Sequence, residues 1–237
     1  MPVKNSTVQI TLADQSILPA FTAIPIEEEG PLKGLILLQE AFGVNRHIRD
    51  VANRLANCGY AVIAPELFHR TAAGFEGNYA DFPSVLPHIQ ALTTEGLEAD
   101  LKASFHWLQN YPGVFGDQIA SIGFCMGGRA SFLANSIVPL KAAISFYGSG
   151  IAPVLLDRVP ALHGPILFFW GGLDKHNPLE QRHKILNAMD QAGKNYINVE
   201  IGDADHGFFC NERICYNPVA ANEAWALVLS FLENNMH

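Results

Sequence analysis

Two short runs of alternating apolar and polar residues open the chain, at positions 8–12 and 18–24, parted by the polar Ala13-Asp14-Gln15-Ser16. Two such runs with a turn between them predict an antiparallel hairpin. The pattern then changes. Leu35-Ile36-Leu37-Leu38 is apolar throughout, as a strand covered on both faces requires. Residues 45–57 carry Ile48, Val51, Ala52 and Leu55 on one helical stripe and stop before Gly59. The same beat recurs, with strands at 60–64, 118–124, 142–147, 166–170 and 196–201 and helices at 95–109, 126–137, 179–192 and 220–232. Strands alternating with helices predict an α/β protein built on a mainly parallel, doubly wound sheet of about seven or eight strands. The segment 67–87 has weak periodicity and reads as an excursion beside a site. Nothing in the pattern divides the chain, so a single domain spanning 1–237 is expected.

Composition fits that architecture. Hydrophobic residues make up 49% of the chain and charged residues 16%, enough for a large core and too apolar for disorder. A formal charge of -8 argues against nucleic acid or an anionic membrane as partner, since both reward clustered Lys and Arg. The cysteines, Cys58, Cys125, Cys210 and Cys215, form no C-x-x-C pair and no dense framework. A reduced, cytoplasmic setting is therefore expected. The opening MPVKNSTVQI has no apolar signal core, and no uncharged run approaches the roughly 18 residues of a membrane span.

The chemistry begins at Gly123-Phe124-Cys125-Met126-Gly127-Gly128, which lies between a predicted strand and a predicted helix. A G-x-nucleophile-x-G turn in that context is a nucleophile elbow. Gly123 and Gly127 lack Cβ atoms where strand and helix must approach closely. Cys125 then stands at a helix N-terminus, where the helix dipole favours a thiolate. The Met126 N–H is positioned to donate to an oxyanion. A nucleophile of this kind needs a base, and the base an orienting acid, in the order nucleophile, acid, histidine along this type of chain. Asp174 follows the apolar run Phe168-Phe169-Trp170-Gly171-Gly172-Leu173, and His206 follows the last predicted strand. All three fall beyond carboxyl ends of strands, where open α/β sheets hold their ligands. His47, His88 and His106 lie within or near predicted helices and His176 and His183 in polar segments, and most of these five read as surface residues; His69 and His163 read as non-catalytic. Asp203 and Asp205 read as loop-capping carboxylates. A zinc site from His206, Cys210 and Cys215 lacks the paired spacing of a structural site, so no metal is expected.

With these residues in place, the chain resembles the dienelactone hydrolase family, small cysteine-dependent α/β-hydrolases, over essentially its whole length. Four segments carry the resemblance: Gln39-Glu40-Ala41-Phe42-Gly43-Val44-Asn45, Gly123-Phe124-Cys125-Met126-Gly127-Gly128, Gly171-Gly172-Leu173-Asp174, and Asp205-His206-Gly207-Phe208 with Arg213 and Tyr216 after it. The resemblance implies that Glu40 points into the site and shares the Cys125 proton, and that the Ala41 N–H completes the oxyanion hole with that of Met126. It implies ester or lactone hydrolysis through an acyl-cysteine, on a small-molecule substrate and without metal or organic cofactor, by a monomer or homodimer. Phe42, Arg70, Phe208 and Arg213 are the expected substrate contacts. Family members acting on dienelactone hold its carboxylate with arginines, one of them just past the histidine. Here the corresponding Gly207-Phe208-Phe209-Cys210 has none, and neither has Phe75-Glu76-Gly77-Asn78-Tyr79, where Arg70 is the nearest. That departure keeps open a broad-specificity carboxylesterase or thioesterase. A hydrolase fold retained as a non-catalytic ligand-binding protein is a third reading, opposed by the intact Cys, Asp and His.

Overall fold

Residues 2–26 and 30–237 are described by the structure, a computed structural model. The chain divides into two compact units, Met1–Ala120 and Ser121–His237.

In the first unit the expected hairpin is present and longer than the alternation indicated. Strands β1 (Val3–Thr11) and β2 (Ile17–Pro25) pair antiparallel from Val3 opposite Pro25 to Thr11 opposite Ile17. The turn is closed by Asp14, whose carboxylate accepts from both the N–H and the hydroxyl of Ser16. The early half of β1 was hidden because it is exposed on both faces, so nothing there forces alternation. Strand β3 (Leu32–Leu38) pairs parallel with β4 (Tyr60–Pro65), which also pairs antiparallel with β2. Helix α1 (Arg46–Asn57) makes the crossover, started by the Asn45 side chain accepting from the Ile48 N–H at 3.2 Å. His47, one of five histidines read mostly as surface residues, is buried. It stands four and eight residues before Val51 and Leu55, on the same inward stripe.

The excursion holds two helices that periodicity did not disclose, α2 (His69–Ala72) and α3 (Phe82–Gln90). One is a single turn, and the other has Pro87 in its interior and buries only Val85. Neither is long or regular enough to register a 3.6-residue period. Helix α4 (Thr94–Gln109) follows, capped by the Thr93 hydroxyl. Its fully buried Asp100 takes the Arg70 guanidinium at 2.9 Å and the His69 ring at 3.2 Å. A carboxylate buried this deeply needs partners of this kind for its oxygens.

Strand β5 (Val114–Phe124) begins in the first unit and ends in the second. There the alternation continues: α5 (Met126–Ile137), β6 (Ala142–Phe146), the short α6 (Ile151–Val154), a 3₁₀ turn at Leu156–Ala161, β7 (Ile166–Gly171), α7 (Leu179–Gln191), β8 (Tyr196–Ile201) and α8 (Pro218–Asn235). Strands β6, β7 and β8 pair parallel. Aromatic rings fill the core beside them. Phe146 stacks on Phe124 at 4.7 Å and on Phe169 at 4.3 Å between centroids, and Phe209 stacks on Phe124 at 5.1 Å. None of the described helices is long and apolar enough to cross a membrane.

Phe146 occupies the middle of that stack and is fully buried. Phe146→Ala is expected to destabilise the protein by about 3–5 kcal/mol, the range for deleting a buried aromatic ring. Urea denaturation of the variant beside wild type checks it, and a loss below about 1 kcal/mol would show that the neighbouring rings close the gap.

Candidate active site

Three features hold Cys125 at the junction of β5 and α5. Its N–H donates to the Phe146 carbonyl at 3.0 Å, and its own carbonyl accepts from the Gly128 and Arg129 N–H groups. Its backbone is in the left-handed region, φ 55° and ψ -119°, a conformation a side-chain-bearing residue adopts only when its surroundings impose it. The glycines supply that imposition. A Cβ at Gly123 would overlap the Gly127 carbonyl, and one at Gly128 would lie 2.7 Å from the Phe146 oxygen. The half-buried Cys125 is thus the N-cap of α5, beside the helix's unpaired N–H groups.

Asp174 ends the turn after β7. One carboxylate oxygen, Oδ1, accepts from the His176 N–H at 2.7 Å and the Asn177 N–H at 3.3 Å. The other, Oδ2, lies 2.9 Å from His206 Nδ1 and accepts from the Asn177 side-chain amide at 2.7 Å. Burial, the largest single influence, works to raise the Asp174 carboxyl, and the hydrogen bond and charge of His206 act against it. With the Asn177 and His176 donors they hold it below the usual carboxylate range.

His206 sits on the loop after β8, its N–H donating to Asp205 Oδ1 at 2.7 Å and its carbonyl accepting from the Cys215 thiol at 3.0 Å. Its ring lies between Tyr147 and His176, with centroids at 4.9 and 4.8 Å. With Nδ1 directed to Asp174, the ring also hydrogen-bonds Cys125. Burial alone would depress the imidazole. The Cys125 charge and the hydrogen bonds to Asp174 and Cys125 overcome this, and with the Asp174 charge they raise its pKa to about 10. The arrangement therefore sets the His206 ring between Cys125 and the Asp174 carboxylate.

The structure thus joins three of the residues singled out in the sequence, Cys125, Asp174 and His206, within the second unit. Met126 begins α5 beside Cys125. In the first unit, Glu40 and Ala41 are buried just beyond β3, and Phe42 packs on Tyr79 at 4.5 Å. Arg70 is paired with Asp100. Phe208 is fully buried against Tyr147 and Phe146, and the Arg213 guanidinium lies against Gly207, whose φ of 84° and missing Cβ leave it room. Four residues at the site were not singled out as site residues from the sequence. Tyr147 has φ 38° and donates its N–H to the Phe169 carbonyl at 2.7 Å. His176, set down as a surface histidine, is exposed yet packs on the catalytic-type ring. Asn177 bonds to Asp174. Arg129, one turn into α5, is half-buried; burial lowers its guanidinium while the Cys125 charge acts the other way. The spacing of Arg129 from Cys125 on one helix could have marked it; the other three depend on loop geometry.

Residues 18–236 match the model of the dienelactone hydrolase family. The chain belongs to that family. It is accordingly a hydrolase with an α/β-hydrolase fold. A Synechocystis relative, provisionally assigned as a carboxymethylenebutenolidase, is 33% identical over the full length of both chains. An Escherichia coli K12 protein with the same provisional assignment is 34% identical over 91% of this chain and 82% of its own. A Klebsiella pneumoniae crystal structure, provisionally assigned as a dienelactone hydrolase, superposes with a TM-score of 0.90 at 30% identity, covering 98% of this chain and 99% of that one.

If the Cys125 sulfur charge keeps His206 protonated, Cys125→Ser should bring the His206 titration midpoint down from about 10 toward the ordinary histidine range. An NMR titration of the imidazole measures this directly. A midpoint unmoved by the substitution would assign the shift to Asp174 alone.

Proposed function

We propose that this hydrolase cleaves an ester or lactone of a small molecule through an acyl-cysteine formed on Cys125. The observation that supports it is the hydrogen-bonded series Asp174, His206, Cys125, with the cysteine on a strained turn at a helix N-terminus. In the proposed reaction the Cys125 thiolate attacks the carbonyl carbon, and the electron pair of the C=O bond moves to oxygen. The Met126 N–H stabilises that oxyanion. The His206 imidazolium gives its proton to the leaving alkoxide as the C–O bond breaks, leaving a thioester and a neutral ring. His206 then takes a proton from water, the hydroxide attacks the thioester, and the thiolate leaves. Asp174 stays ionised throughout and holds the ring's orientation. From the sequence resemblance, the Ala41 N–H is proposed as the second oxyanion donor and Glu40 as the group that shares the Cys125 proton. Losing one such donor costs ~10²–10³ in rate. All four cysteines stand outside any disulfide, in keeping with the cytoplasmic setting proposed for the chain.

The names of the relatives speak of a butenolide, a lactone bearing a carboxylate. Arg70, however, is neutralised by Asp100, and Phe208 is committed to the core. These observations favour a second reading, a broad carboxylesterase or thioesterase acting on uncharged acyl groups.

Cys125→Ala should abolish both p-nitrophenyl acetate hydrolysis and iodoacetamide labelling at that position; hydrolysis equal to wild type would sink the acyl-cysteine mechanism. A substrate panel of uncharged acyl esters, a thioester and a dienelactone separates the two specificities. Turnover across the esters and the thioester is expected from the second reading, and turnover of the dienelactone alone would eliminate it.

A further inference from the structure

We infer that Asn177 is a positioning residue for the reaction, locking the Asp174 carboxylate to the loop after β6 so that one oxygen faces His206 in a single orientation. The inference rests on the catalytic reading of Cys125, Asp174 and His206 given above.

The Asn177 side chain is buried, and its amide nitrogen lies 2.7 Å from Asp174 Oδ2, 3.1 Å from the Tyr147 carbonyl and 3.2 Å from Ser149 Oγ. The first two partners can only accept, so it is the amide's N–H₂ end that faces them. Two protons then meet two obligatory acceptors, and the Ser149 hydroxyl, which can rotate, fills out the third contact. Asp174 is correspondingly constrained. Its Oδ1 is held by two backbone N–H groups of its own turn, which fix that oxygen but leave the carboxylate able to pivot about it. The Asn177 amide removes that freedom, because it grips the same oxygen that His206 Nδ1 uses.

The other end of the bridge matters equally. Tyr147 carries the loop's strained backbone, φ 38°, and its ring packs on the His206 ring at 4.9 Å. One amide therefore ties the residue that orients the imidazole to the residue that supports its face. An aliphatic side chain cannot donate, and an aspartate at this position would set a second carboxylate against the first. Positioning of this kind affects the rate far more than substrate binding. Misplacement of a reacting group by about 1 Å can cost about 10²-fold.

The test compares wild type, Asn177→Ala, Asn177→Asp and Cys125→Ala for p-nitrophenyl acetate hydrolysis across pH, with the downfield NMR resonance of the His206 Nδ1 proton as a second readout. Asn177→Ala should lower kcat about 10- to 100-fold with KM little changed, and should broaden or shift the Nδ1 proton resonance. Asn177→Asp matches the native shape, so it stands as the test should the alanine variant fail to fold. Its carboxylate cannot donate, whereas its protonated form can. Its activity relative to wild type should therefore rise as pH falls. A purely structural role would leave that ratio flat. Wild-type kcat, an unchanged Nδ1 proton signal and a flat pH ratio would overturn the inference while Cys125→Ala remained inactive. Activity retained by Cys125→Ala would instead overturn the catalytic reading beneath it.

Discussion

The hydrogen bond from the Cys125 N–H to the Phe146 carbonyl carries the order of the sheet one residue past the end of β5, into a turn that the backbone would not otherwise adopt. Residues in sparsely populated backbone regions cost about 1–3 kcal/mol and persist only where the surroundings overdetermine them. Here the surroundings are Gly123 and Gly128, which bring helix and strand backbones closer than any Cβ permits, and the aromatic stack through Phe124 and Phe146 beneath. A rigid, densely packed base lets the turn present a sulfur atom at a fixed place, instead of relaxing into an ordinary strand-to-helix connection.

Charge in the second unit follows the same economy. Asp174 and His206 are both buried, and in such surroundings isolated ions are costly. Each therefore has its hydrogen-bonding capacity occupied: four donors on the carboxylate, and Asp174 and Cys125 on the imidazole. The opposed shifts, Asp174 downward and His206 upward, are two views of that arrangement, because each group is stabilised in its charged form by the other. Arg129 stands one turn along α5, where burial lowers its guanidinium and Cys125 acts the other way.

Much of this was legible in the chain. Apolar runs and glycine stops located most strands and helices, because a doubly covered sheet leaves little freedom about which residues are buried. The order of Cys125, Asp174 and His206 was visible too, since Cys125 and Asp174 follow the apolar ends of β5 and β7 and His206 lies on the loop after the half-exposed β8. What escaped was short or interrupted: α2 and α6 are single turns, and α3 is disturbed by Pro87. His47 was grouped with histidines read mostly as surface residues, although its spacing to Val51 and Leu55 placed it on the buried stripe.

The sequence by itself determined the alternation of strand and helix, the glycine-flanked elbow and the positions of the candidate nucleophile, acid and base, since these depend on local spacing and on close backbone approach. Tertiary structure decided their electrostatics. Whether an imidazole is driven up or down depends on which charges face it and how much water remains, and Cys125 and Asp174 reach His206 from distant positions in the chain. The partners of Asp174 were equally beyond local reading: Asn177 is only three residues away, yet its role follows from the Tyr147 carbonyl, thirty residues earlier, which only folding brings to it.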